Sequence, residues 1–94
     1  MYTKVEKVVT RQIAGETLLI PITQAGADLQ KVYLLNETAA AIWELLAQPR
    51  ELEGLVAALQ EQYEAPEEVL RTDTLETLEA LIERGFVIER QAGE

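Results

Sequence analysis

The stretch YLLNETAAAIWELL (33–46) changes character in its middle, and that change decides the fold. It opens as the end of a short β-type run, KVYLL (31–35), made of Val, Tyr and Leu between polar neighbours. At Asn36 the period changes. An Asn side-chain oxygen accepts from an N–H of the following turn, so Asn36 reads as a helix N-cap. Glu37 then sits beside the positive end of the helix dipole. Ala39, Ile42, Trp43, Leu45 and Leu46 follow at spacings of three and four, which turns one apolar stripe inward. Pro49 ends this first helix. The only tryptophan of the chain lies on the apolar face of that helix, where core packing is the ordinary use of such a residue.

Upstream of this junction the sequence is β-like. Gly15-Glu16 marks a tight turn, and Thr17–Ile22 is a β-rich run, so a hairpin pairs Thr10–Ala14 with Thr17–Ile22. Pro21 has no N–H to give to a ladder, which places its strand at an edge or ends it there. TQAGADLQ (23–30) reads as a loop, and KVYLL is the third strand. The short connections imply antiparallel pairing.

Downstream the sequence is helical. Glu51–Tyr63 carries a stripe of Leu52, Leu55, Val56, Leu59 and Tyr63. Gly54 interrupts it, either to allow a close helix approach or as a tolerated cost of about 1 kcal/mol relative to Ala. Pro66 followed by Glu67 and Glu68 suits the start of a third helix, which runs to Arg84 before Gly85. Leu75, Leu78, Leu81 and Ile82 make its expected inward stripe. FVIE (86–89) reads as an additional short strand, and the residues from 89 onward as a frayed tail. The expected fold class is therefore α+β and winged helix-turn-helix-like, with three short N-terminal antiparallel strands followed by three helices in a single domain, residues 1–94, with its core at about 10–88.

The composition excludes much chemistry. With 94 residues, one modest core is the expectation. Histidine and cysteine are absent, which removes imidazole bases, thiolates, disulfides and the usual zinc ligands. Serine is absent too, so Ser–His and Cys–His nucleophilic arrangements are unavailable, and no enzyme activity is expected. Seventeen acidic against 8 basic residues give a formal charge of −9. Such a chain repels phosphate backbones and anionic membrane surfaces, and favours a basic partner. The third-helix segment carries Glu67, Glu68, Asp73, Glu76, Glu79 and Glu83 against Arg71 and Arg84, which is unsuited to a major groove. Glu76, Glu79 and Glu83 share a helical face, read as solvated. No apolar run reaches bilayer-spanning length, and the N-terminus lacks the apolar segment of an export signal, so the cytoplasm is the expected location.

Two stretches, YLLNETAAAIWELL and PRELEGLVAALQEQYEAPEEVLRTDTLETLEALIERGFV, together resemble the PqqD family, coenzyme PQQ synthesis protein D. The likeness runs from about Thr10 to Val87 and is carried by Asn36, Ala39, Ile42, Arg50, Leu55, Val56, Leu59, Tyr63, Leu78, Leu81 and Gly85. Where that family usually has Ser or Thr capping its second helix, this chain has Glu51, a weaker cap.

The resemblance implies a cofactor-free recognition element for ribosomally made precursor peptides. Such an element binds the leader of the peptide as an added strand, between its third strand and third helix, and delivers it to a modifying enzyme, often a radical SAM protein. Carried onto this chain, the groove would be formed by Lys31, Val32, Tyr33, Leu34, Leu70, Thr74, Thr77, Leu78 and Leu81. A vacant strand edge also invites self-pairing into a homodimer. The alternative reading is a winged-helix-like adaptor or regulator that acts through protein contacts.

Overall fold

Asn36 caps as its chemistry dictates: its Oδ1 accepts from the Ala39 N–H at 2.8 Å. A computed structural model describes residues 1–90 and gives strands β1 (Tyr2–Lys4), β2 (Val8–Ile13), β3 (Glu16–Thr23), β4 (Gly26–Ala27) and β5 (Tyr33–Leu35). Helices α1 (Glu37–Leu45), α2 (Leu52–Gln62) and α3 (Glu67–Glu83) follow, then strand β6 (Val87–Glu89). A 3-10 turn at Leu29–Lys31 leads into β5. The architecture is α+β, with antiparallel strands before three helices.

The hairpin of β2 and β3 is in register from Val8↔Pro21 to Ile13↔Glu16. Its two turn residues are therefore Ala14 and Gly15, one position earlier than the sequence suggests. Their φ values are 54° and 82°, the two positive angles of a type I′ turn. That turn follows the right-handed twist of the strands, so the fold accepts a non-glycine residue in left-handed backbone at Ala14.

β3 is the central strand of this sheet. On one side it pairs with β2. On the other it pairs with β5 through Thr17↔Leu35, Leu18↔Leu34 and Leu19↔Tyr33, and farther along with β4 through Ile22↔Ala27 and Thr23↔Gly26. Pro21 neither ends β3 nor lies at a sheet edge. Its carbonyl accepts from the Asp28 N–H at 2.8 Å, whereas the Ile22 N–H turns the other way, to the Lys7 carbonyl at 3.0 Å. The N and O of one strand residue share a side, so the nitrogen of Pro21 faces the space between β4 and β5, where no ladder acceptor is needed.

β1 and β6 form a second, two-stranded sheet, Tyr2↔Glu89 to Lys4↔Val87. Tyr2 also bridges Arg50, so the chain ends and the α1–α2 connection are tied together. Glu89 is thus paired, and Arg90 donates its N–H to the Met1 carbonyl at 2.7 Å, so the expected frayed tail does not begin at 89. The remainder of that tail, 91–94, lies outside the described residues.

One apolar core joins the helices to the inner face of the sheet. It includes Leu19, Leu35, Ile42, Trp43, Leu55, Leu59, Leu78, Leu81 and Phe86, all buried. The inward stripe of α3 is Leu70, Thr74, Leu78 and Leu81; Leu75 is only half-buried and Ile82 is exposed. Thr74 is tolerated there because its hydroxyl donates to the Leu70 carbonyl at 2.6 Å, one helical turn back. Glu51 precedes α2 with no side-chain cap bond, as expected of a weak cap. Gly54 is exposed, and a Cβ placed on it would meet nothing within 4 Å, so it serves no close approach. Arg50 is half-buried and donates through Nε to the Leu45 carbonyl at 2.6 Å, placing a cation at the C-terminal end of α1. No helix among the described residues is long and apolar enough to cross a membrane.

Candidate functional site: an open strand edge beside α3

β5 has β3 on one side and, among the described residues, no strand on the other. The backbone groups at this edge follow from the register. Pro21 directs its carbonyl toward β4, and β2–β3 pairing runs without a bulge from Pro21 to Glu16. Thr17 and Leu19, of the same parity as Pro21, therefore direct N–H and C=O at β5. They meet Leu35 and Tyr33. Leu34, of opposite parity, turns its own N–H and C=O away from the sheet, into the open.

The open edge is one wall of a groove of about 830 Å³. α3 supplies the facing wall with Glu76, Thr77 and Ala80; the first turns of α1, with Ala39 and Ala40, close one end together with Gly15 and Glu16 of the hairpin. Alanine at 39, 40 and 80 leaves the space clear. β5 is three residues long and passes directly into α1, and no strand among the described residues covers its outer side.

Tyr33 is half-buried at this wall, and an aromatic chain holds it. Its ring stacks on Phe86 with centroids 6.3 Å apart and planes 12° apart. Phe86 in turn receives the Trp43 ring edge-on at 6.5 Å and 81°. The Arg84 guanidinium lies 4.2 Å from the Tyr33 centroid. Trp43 is buried and does not line the groove. It supports β5 from behind, through Phe86.

The residues expected to form the groove divide into two sets. Tyr33, Leu34 and Thr77 line it. Lys31 closes the 3-10 turn just beyond it, beside Glu83 and Arg84, and Val32 is half-buried between turn and strand, outside the three-residue strand. Leu70, Thr74, Leu78 and Leu81 do not line the groove: each is at most 4% exposed and faces the core. The inward stripe of α3 is rotated away from the groove, and the groove takes the next face around, Glu76–Thr77–Ala80. Glu16, Glu37, Glu76 and Ala80 were missed. Helical spacing groups Glu76 with Ala80, but only the position of β5 says which face looks at it.

An open strand edge beside a helix is a geometry at which an extended segment can be added. The chain belongs to the family Coenzyme PQQ synthesis protein D (PqqD), whose profile matches residues 15–87. No curated protein matches it. Among solved structures it is similar to the chain described as TbiB1 in complex with the TbiA(beta) leader peptide, at 22% identity and a TM-score of 0.76. That match covers 95% of this chain and 98% of the other. It is also similar to a lasso peptide synthetase B1 complexed with the leader peptide, at 19% identity and a TM-score of 0.74, covering 94% of this chain and 98% of that one. Both likenesses establish the shared fold.

Proposed function

We propose that this protein is a non-catalytic recognition module. It binds the leader segment of a ribosomally made precursor peptide by strand addition to β5 and presents it to a modifying enzyme, of radical SAM or another type. The role belongs in the cytoplasm, where such precursors are made. The observation that carries the reading is the outward N–H and C=O of Leu34, which face a groove of about 830 Å³ walled on the other side by α3. Main-chain bonds to that edge give sequence-tolerant affinity, and the α3 wall selects side chains. Membership of the PqqD family supports the reading, and so do two structural neighbours that were each solved with a leader peptide. The exposed carboxylates of α3 speak against a DNA-reading use of the same helix.

The test is a titration of ¹⁵N-labelled protein with a synthetic leader taken from a short reading frame beside the gene. Amide shifts at Val32–Leu35 and at Glu76, Thr77 and Ala80 are expected. Shifts confined to α2 or to the β1–β6 sheet would reject the groove.

A further inference from the structure

The groove carries carboxylates at one end, and cations border it just beyond the other, where Arg84 lies over Tyr33. Glu16, Glu37 and Glu76 line the end near Leu35 and Asn36; no lysine or arginine lines the groove. All three carboxylates are exposed, and none takes part in an ion pair among the described residues. At the Tyr33 end the bordering groups are Lys31, Arg84 and Glu83, a net excess of one positive charge. The helix and the strand span this gradient together. From Glu76 to Arg84 α3 rises about 12 Å; from Lys31 to Leu35 an extended chain covers about 13 Å. The guest therefore meets carboxylates at one end and cations at the other over four or so residues.

Leu34 is the one β5 residue with both backbone groups outward. An antiparallel guest can satisfy both with a single residue opposite it, whereas a parallel guest needs two. An antiparallel guest runs with its N-terminal end at Leu35 and its C-terminal end at Tyr33. Resting on the strand-addition reading above, we infer that the groove reads charge order. It takes a segment with Lys or Arg at its N-terminal end and an acidic residue at its C-terminal end, docked antiparallel to β5. The contacts are exposed, so they act by selecting orientation and partner more than by adding large affinity.

Three capped peptides with one shared centre test this on the full chain: Ac-KQKTVTVTEQE-NH2, the charge-reversed Ac-EQETVTVTKQK-NH2, and Ac-QQQTVTVTQQQ-NH2. Affinity is read from the Leu34 amide shift. The basic-first peptide is expected to bind about fivefold more tightly than the acidic-first one, with the neutral peptide between them. In a Glu16→Gln/Glu76→Gln variant that preference should fall below about twofold, and added salt should act the same way. Equal binding of the two charged peptides, or tighter binding of the acidic-first one, overturns charge reading while leaving strand addition intact. If none of the three moves the Leu34 amide, strand addition itself is overturned, and charge reading with it.

Discussion

Trp43 and Thr10, far apart in sequence, are joined by a hydrogen bond: the indole Nε1–H donates to the Thr10 Oγ1 at 2.9 Å. The bond fastens α1, the helix that follows β5, to strand β2 of the hairpin. The indole is 2% exposed and has no other acceptor among the described residues. Thr10→Val keeps the shape and removes the acceptor. A buried donor left without a partner costs about 1–3 kcal/mol, so the variant should lose about 1–2 kcal/mol in urea unfolding. An unchanged midpoint would mean that water or another group takes the place of the hydroxyl.

Gly54 offers the opposite sign. It lies in the first turn of α2, exposed, with open space where a Cβ would go and no positive φ. Gly54→Ala should therefore stabilise the protein by about 0.5–1 kcal/mol, through helix propensity alone. Chemical denaturation reads this as a higher midpoint at constant slope. A loss of stability would reveal a close approach that the structure does not contain.

The Arg71 guanidinium joins α2 to α3, with Nη2 at 2.8 Å from Glu53 Oε2 and 2.9 Å from Glu67 Oε1. The hydrogen bond from Arg71 holds the Glu53 carboxyl below the usual carboxylate range. A folded-state pKa below the unfolded value of about 4.3 adds stability at pH above that value, and the gain is lost as pH falls through the folded pKa. The stability gap between wild type and Glu53→Gln should thus be widest near neutral pH and close in acid. Glu53 is exposed and Arg71 only half-buried, so the gap should be small and shrink further with salt. A gap that widens on acidification would show that the carboxylate is not the partner that matters.

How much of this was legible depends on the range of each interaction. The Asn36 cap, the stop of α3 before Gly85 and the stripe of α2 depend on neighbours a few residues away, and the sequence displays them. The β1–β6 sheet joins Tyr2 to Glu89 through two three-residue strands, too short to carry a period of their own. The turn slipped by one residue because Ala14 gives no local sign that it adopts positive φ. On α3 the apolar pattern points to a face rotated from the one that lines the groove. Leu75 and Ile82 look like better core residues than Thr74, yet the core takes Thr74, whose hydroxyl finds the Leu70 carbonyl within its own helix. Which face of α3 looks at the groove is settled by β5, a distant partner, and no pattern inside the helix records it.

Leu34 supplies the sharpest test of the site. Its N–H is not used in the β3 ladder, so Leu34→Pro removes a donor that only a guest strand would accept. The preceding residue, Tyr33, is already extended, as a residue before proline must be, and β3 tolerates Pro21 in the same relation to its neighbours. The variant should keep its thermal unfolding close to that of wild type. Its affinity for the basic-first peptide should fall about tenfold or more, from the lost hydrogen bond together with the ring standing where the guest backbone approaches. Leu34→Ala, which keeps the N–H, should bind within about threefold of wild type, because the leucine side chain points to the outer face and is 51% exposed. Ala80→Phe fills the groove from the α3 side and leaves the β5 backbone groups in place, and should weaken binding in the same way. If Leu34→Pro folds and binds as wild type does, the guest does not use this edge; if Ala80→Phe also binds normally, it does not use this groove.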